Sequence, residues 1–148
     1  MALTAATPAA QVNAWSALFS AWTVALGASL GALFIGEVMG QAPCLLCWFQ
    51  RAFMFPLAVI LAIAAWRSDA GIWRYALPLA GLGVLVAGFH SMQYLELIPE
   101  PIIPCGAGPS CTGAAMTILG GVPIPLLSLG AFAVIAALLV LARRGVAK

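Results

Sequence analysis

The stretch from residue 43 to residue 51 reads Pro-Cys-Leu-Leu-Cys-Trp-Phe-Gln-Arg and holds the residue types best suited to chemistry. Cys44 and Cys47 have two residues between them, a spacing at which a disulfide opens and closes easily. The apolar run that follows predicts a helix, and a helix start stabilises an anion such as the Cys47 thiolate. Arg51 lies four residues after Cys47 and shares its helix face. The pattern favours a redox-active disulfide.

A second cysteine pair, Cys105 and Cys111, encloses Gly-Ala-Gly-Pro-Ser, whose glycines and proline favour a turn that brings the two sulfurs together. This pair could be a loop staple, but disulfide exchange with the first pair is the better interpretation. A static structural disulfide at Cys44 and Cys47 is disfavoured, because structural bridges usually close longer loops. Zinc binding by the four cysteines is also disfavoured, since one pair opens an apolar helix, and no metal site is predicted.

Two further polar residues lie in apolar surroundings. Arg51 falls near the edge of a predicted membrane span, where a charged side chain is costly and indicates function. Its alternative role is to extend towards the lipid headgroups. His90 is the single histidine of the chain and lies near the end of another apolar segment, at about the depth of Arg51. It either contributes to the site or hydrogen-bonds a neighbouring helix.

The composition predicts the elements that position these residues. Of the 148 residues, 64% are hydrophobic and 7% are charged, whereas soluble domains carry about 25% charged residues. We therefore predict an all-α membrane protein with a single four-transmembrane-helix bundle, its spans at about residues 14–35, 48–66, 75–95 and 123–141. Gly27 and Gly31 permit close helix contact, although small residues are common in membrane helices anyway. The net charge of +2 does not indicate a nucleic-acid partner.

Basic residues predict the orientation of the bundle. Five of the six flank the turn between spans two and three or the C-terminus, and they are Arg67, Arg74, Arg143, Arg144 and Lys148. Under the positive-inside rule these segments are cytoplasmic. Both termini are then cytoplasmic and both cysteine loops extracytoplasmic, in an oxidising compartment that suits paired cysteines.

These motifs together resemble the DsbB family of disulfide-forming membrane proteins. The resemblance rests on Cys-Leu-Leu-Cys-Trp-Phe-Gln-Arg, on the two outward cysteine pairs, and on His-Ser-Met-Gln at residues 90–93. The short spacing of Cys105 and Cys111 and the Gln50-Arg51 ending are most similar to the short-loop, BdbC-type members. The resemblance covers the four spans, from about residue 14 to residue 141.

The resemblance implies a protein-dithiol:quinone oxidoreductase in the bacterial cytoplasmic (inner) membrane. Such a protein reoxidises a DsbA-like, thioredoxin-fold thiol oxidase and passes electrons to a membrane quinone, ubiquinone or menaquinone. By the same resemblance, Cys105 would exchange with the partner, with Cys111 as its loop mate, and Cys44 would accept electrons from that pair. Cys47 would face the quinone, with Arg51 and His90 as the cofactor-binding residues.

Two alternatives belong to other classes. A quinone reductase of the vitamin K epoxide reductase type shares a four-helix core, but its Cys-x-x-Cys typically comes near the last span, whereas here it precedes span two. A non-catalytic four-span scaffold with disulfide-stapled loops would keep both pairs oxidised. Thiol trapping distinguishes the scaffold from an enzyme, whose first pair must be reducible and must respond to quinone.

Overall fold

The computed structural model describes residues 8–98, 117–118 and 121–146. Four helices in this part of the chain are long and apolar enough to cross a membrane. They are α1 (Pro8–Leu33), which continues as a π-helical turn over Phe34–Val38, α2 (Leu45–Arg67), α3 (Trp73–Tyr94) and α4 (Ile124–Val146). A short 3-10 helix (Ala70–Ile72) precedes α3, and an antiparallel strand pair, β1 (Thr117–Ile118) and β2 (Val122–Pro123), precedes α4. The predicted all-α four-helix bundle is confirmed.

The four helices pack as a square. α1 and α3 each pack against both α2 and α4, and short connections join α1 to α2 and α2 to α3. Such connections make neighbouring helices antiparallel. Two contacts agree with this order: Trp15 Nε1 of α1 donates to the Ala65 carbonyl near the end of α2, and Arg143 of α4 lies 4.6 Å above the ring of Trp73. The end of α2, the start of α3 and the end of α4 therefore share one end of the bundle, and Cys44 and His90 lie at the other.

Small residues play two different roles between the helices. The ring of Phe132 on α4 packs directly on Gly83 of α3 and leaves no room for a Cβ there, so α3 and α4 approach closely. Gly27 and Gly31 of α1 behave differently, since a Cβ at either would meet nothing within 4 Å. These two glycines do not mediate a close helix contact; they line a cavity between α1, α2 and α4.

The end of α1 shapes the site. The sequence predicts a loop from Glu37 onwards, but the helix continues through its π turn to Val38. The chain turns at Gly40, whose φ of +69° lies in the left-handed region that glycine adopts readily. A π turn inside a helix is frequently found at functional sites. Here it places the last turns of α1 beside the first turns of α2, where the Cys-x-x-Cys lies.

Candidate redox site at the start of α2

Cys44 is the N-cap residue of α2. Its backbone is extended (φ −69°, ψ 170°), and its Sγ accepts a hydrogen bond from the Cys47 backbone N–H at 3.3 Å. A side chain in this position satisfies one of the free N–H groups at the helix start. The sequence predicted that the helix start stabilises a thiolate at Cys47. In the structure, the sulfur that accepts a hydrogen bond at the helix start is that of Cys44, one turn earlier.

The two thiols are in contact and differ in their surroundings. Both are free cysteines, and their sulfurs lie 2.9 Å apart in a hydrogen bond. Cys44 is 1% exposed and packs with Leu46 against Val86, Phe89 and Tyr94 of α3, whereas Cys47 is only half-buried. The structure therefore describes a dithiol in which one sulfur is enclosed and the other more accessible.

His90 lies against Cys44 rather than against Arg51. It is fully buried on α3, and its Nε2 is 3.8 Å from Cys44 Sγ. Its Nδ1 is 3.0 Å from Nε2 of Gln50, which is also buried. An amide nitrogen can only donate, so Nδ1 accepts and the imidazole proton is on Nε2. Gln50 thus holds the tautomer in which His90 donates towards the Cys44 sulfur.

This arrangement stabilises a thiolate at Cys44. The hydrogen bond with the Cys47 thiol holds the pKa of Cys44 well below its ordinary value. The neighbouring His90 and the Cys47 backbone N–H lower this pKa further, while burial opposes them. Since Cys44 Sγ already accepts from two N–H groups, the proton shared by the two sulfurs belongs on Cys47. Of the two thiols, Cys44 is the one prepared to act as a nucleophile.

Arg51 is anchored on the other side of α2. It is 9% exposed, its Nη2 donates to the Ala32 carbonyl of α1 at 2.6 Å, and its guanidinium lies 5.5 Å from the centre of the Trp48 ring. Ala32 lies two residues before the π turn begins at Phe34, so this hydrogen bond ties the start of α2 to the last turns of α1. A Cβ on Gly36, within the π turn, would lie 2.8 Å from Nη2. The absence of a side chain at Gly36 is what gives the guanidinium its space.

A cavity of about 460 Å³ opens beside Arg51, bounded by α1, α2 and α4. Its wall is mostly aliphatic. The polar side chains that line it are those of Thr23, Gln41, Cys47, Gln50, Arg51 and Ser128. Among them, Gln41 Oε1 is buried and has no hydrogen-bond partner in the part of the chain that the structure describes. His90 is not one of the described lining residues, so Cys47 and Arg51 face the cavity together, while Cys44 faces α3 and its His90.

The predicted site residues thus fall into two sets. Cys44, Cys47, Arg51 and His90 come together at one end of the bundle, whereas Cys105 and Cys111 lie outside the described residues. Sequence reasoning did not assign a role to Gln41 or Gln50. Gln50 could have been noticed because it lies three residues after Cys47, on the same face of an apolar helix. Gln41 carries no such signal, since its position depends on how the loop folds over the cavity.

The chain is similar to proteins named for disulfide formation. Residues 13–142 match the family model for the disulfide bond formation protein DsbB. A probable disulfide formation protein of Metapseudomonas resinovorans is 63% identical over 131 residues, covering 88% of this chain and 91% of the relative. Disulfide bond formation protein C of Bacillus subtilis is 38% identical over 120 residues, covering 80% and 86%.

A third relative, a probable disulfide formation protein of Deinococcus radiodurans, is 43% identical over 137 residues, covering 86% of this chain and 89% of its own. No solved structure matches the chain. The family match spans all four helices and includes both sides of the dithiol site. The chain therefore belongs to the DsbB family of disulfide bond formation proteins and is a multi-pass membrane protein.

Proposed function

We propose that this protein is a thiol:quinone oxidoreductase, which reoxidises a DsbA-like thiol oxidase and passes the electrons to a membrane quinone. The observation that carries the proposal is the placement of Cys47 and Arg51 on the wall of one apolar cavity, with the Cys44 thiol directly behind Cys47. A redox-active dithiol beside an apolar cavity suits transfer to a lipid-soluble acceptor. A role in disulfide formation follows from the family; the quinone and the thiol oxidase are the proposed parts.

The cavity has the properties that a quinone headgroup requires. Its volume of about 460 Å³ lies within the usual range of small-molecule sites, about 300–1,000 Å³. Arg51 uses one donor on the Ala32 carbonyl, and its guanidinium has five in all. The remaining donors suit carbonyl oxygens that gain negative charge on reduction. Gln41 Oε1, buried and without a partner among the described residues, suits a hydroxyl of the reduced product.

The dithiol supports a division of roles between its sulfurs. When bound, a quinone supplies an acceptor for two electrons and two protons. Formation of the Cys44–Cys47 disulfide releases two electrons to that acceptor, the Cys47 thiol releases one proton, and water supplies the second proton. Cys44, held as a thiolate by Cys47 and His90, is the attacking sulfur in this proposal, and Cys47 is the sulfur in contact with the acceptor. Arg51 stabilises the negative charge that develops in the cavity.

The orientation of the bundle in the membrane is part of the same proposal. We place both termini in the cytoplasm of a bacterium and both cysteine loops outside the inner membrane, because Arg67, Arg74, Arg143 and Arg144 lie at the end of the bundle opposite Cys44. A reporter fused after Lys148 should then read as cytoplasmic and one inserted near Glu100 as external. An external C-terminus would overturn this orientation.

The partner would exchange with Cys105, and Cys111 would then pass electrons to Cys44. Replacing Cys111 with serine should trap a mixed disulfide between Cys105 and the partner. An adduct that forms at Cys44 instead would contradict this order of exchange.

The decisive test of the function mixes the purified protein with a reduced thioredoxin-fold oxidase and a soluble quinone and follows quinone reduction. We expect one quinone reduced for each partner disulfide formed. A non-catalytic scaffold would leave both substrates unchanged and would keep its cysteines oxidised when thiols are trapped. A quinone reductase of the vitamin K epoxide reductase type is disfavoured by the family match, which lies with DsbB.

A further inference from the structure

Three potential metal ligands meet at the closed side of the dithiol site. Cys44 Sγ, Cys47 Sγ and His90 Nε2 all lie within 4.8 Å of one another. Two thiolates and one imidazole, with a fourth position left open, are a known donor set for zinc in proteins. The sequence disfavours zinc binding by the four cysteines together. The structure brings together a different set, in which His90 replaces the second cysteine pair.

The distances suit a tetrahedral ion. With Zn–S of about 2.3 Å and Zn–N of about 2.0–2.1 Å, tetrahedral ligand atoms are about 3.5–3.8 Å apart. Cys44 Sγ and His90 Nε2 already lie 3.8 Å apart. The two sulfurs now lie 2.9 Å apart. At a tetrahedral zinc ion they would lie about 3.8 Å apart, so they must separate by roughly 0.9 Å. Cys47 is the less buried of the two and can rotate to provide this movement.

Gln50 supplies the outer contact that a ligating histidine usually has. A metal-bound imidazole donates its other N–H to an oxygen, which fixes the ring. Gln50 already contacts Nδ1 at 3.0 Å through its amide nitrogen. Turning this amide by 180° presents its oxygen to an Nδ1–H and frees the Nε2 lone pair for a metal. The same residue can therefore hold either tautomer of His90.

Charge favours a divalent ion. Two thiolates and a neutral imidazole carry a charge of −2, which Zn²⁺ neutralises, whereas a monovalent ion would leave a net charge in a buried site at additional cost. We propose that the reduced Cys44–Cys47 pair and His90 form a binding site for Zn²⁺. Because the same two sulfurs form the disulfide, zinc and the disulfide exclude each other, and bound zinc holds the protein in its reduced state. Zinc binding requires only the reduced dithiol and His90, so it can be tested without assuming that quinone is the acceptor.

The test uses full-length protein in detergent with Cys105 and Cys111 replaced by serine, which leaves one cysteine pair. The anaerobically reduced protein is titrated with Co²⁺ as a spectroscopic probe and then with Zn²⁺. We expect the absorption bands of tetrahedral, thiolate-bound Co²⁺ to saturate at one equivalent and to disappear when Zn²⁺ is added. X-ray absorption of the zinc form should show two sulfurs at about 2.3 Å and an imidazole nitrogen at about 2.0 Å.

Matched variants identify the third ligand. His90→Ala should weaken Co²⁺ binding at least tenfold, while Ser91→Ala, whose hydroxyl donates to the Ala87 carbonyl of its own helix, should bind as the parent does. Metal binding by the oxidised protein, unchanged affinity in His90→Ala, or a zinc spectrum without imidazole scattering would each overturn the proposal. The X-ray absorption spectrum of the zinc form is measured with His90 present. It therefore shows whether an imidazole binds the metal even if His90→Ala does not fold.

Discussion

The two faces of the dithiol differ in almost every physical respect. Cys44 is enclosed against α3, with His90 and Gln50 in a short hydrogen-bonded chain that leads to its sulfur. Cys47 faces a mostly aliphatic cavity between α1, α2 and α4, and Arg51 is the charged residue on the described part of its wall. Two cysteines only three positions apart therefore occupy a closed polar environment and an open apolar one.

This difference indicates how one disulfide can serve two kinds of partner. A nucleophilic thiolate benefits from fixed hydrogen-bond donors and little solvent, which the α3 side provides. A lipid-soluble acceptor needs apolar walls and a cation for the charge that it gains, which the α1–α4 side provides. Substitutions on the two sides should consequently damage different steps.

Arg51→Ala should have the largest effect on the cavity side. Loss of one charge-stabilising contact costs about 1.4–4 kcal/mol, so quinone turnover should fall by about 10–1000-fold. Arg51→Lys keeps the charge but loses the planar fork, and its effect should be intermediate. Arg67→Ala, at the exposed opposite end of the same helix, is the matched control and should turn over normally. Steady-state quinone reduction at several quinone concentrations measures these effects.

The partner's exchange with the loop cysteines should be nearly unchanged in Arg51→Ala, because it does not use the cavity. Single-turnover oxidation of the partner measures this step separately. A wild-type rate of quinone reduction with unchanged apparent affinity would show that Arg51 only anchors the helix at the membrane surface.

His90→Ala should act on the closed side and depend on pH. The pKa of Cys44 is lowered in the folded protein, so its thiolate is present above that pKa and is lost as the pH falls through it. Removing the His90 donor raises this pKa, and a hydrogen bond to a charged group contributes about 1.5–3 kcal/mol. Disulfide formation should therefore slow by about ten- to hundredfold at acidic pH and recover at alkaline pH. A uniform loss at all pH values would contradict the assignment of His90 to the Cys44 thiolate.

Gln50→Leu should be a weaker version of the same change. It removes the group that fixes the tautomer of His90 but leaves the imidazole in place, and one neutral hydrogen bond contributes about 0.5–1.5 kcal/mol. We expect a two- to tenfold slower reaction and a mixture of tautomers in the ¹⁵N NMR spectrum of the imidazole. A single, unchanged tautomer of His90 in Gln50→Leu would contradict the role of Gln50 in fixing that tautomer.

Gly36→Ala should have the smallest effect, and on the cavity side. Its Cβ would lie 2.8 Å from Arg51 Nη2, so the guanidinium must move, and a flexible side chain shifts at a cost of about 0.5–1.5 kcal/mol. The expected result is a rise of less than about tenfold in the KM for quinone, without a change in pH dependence. Gly130→Ala on α4 is the control, since an added Cβ there meets nothing within 4 Å. Equal KM values in the two variants would contradict the placement of Arg51.

Local spacing predicted the helices and part of the site. In a membrane, the backbone N–H and C=O groups of a long apolar segment find hydrogen-bond partners within the segment when it is helical. The four-helix bundle therefore followed from hydropathy. The four-residue step from Cys47 to Arg51 placed both on one face of α2, and the structure lines one cavity with them. The family resemblance drawn from the same stretch is confirmed by the family match over residues 13–142.

Contacts between distant segments could not be predicted in the same way. The pairing of Gln50 with His90 joins residues 40 positions apart and depends on how α2 and α3 pack. A similar predicted depth in the membrane groups His90 with Arg51 in the sequence. Depth does not specify which side of the bundle a residue faces. The π turn of α1 and the space at Gly36 also depend on tertiary packing, since no local pattern specifies them.

The central claim is that the Cys44–Cys47 dithiol itself reduces quinone. The most direct test pre-reduces the variant with serine at positions 105 and 111, removes the reductant, and adds a soluble quinone without oxygen or partner protein. The account predicts one equivalent of quinol for each protein molecule, with a Cys44–Cys47 disulfide formed at the same rate. A dithiol that remains reduced, with no quinol produced, would contradict it.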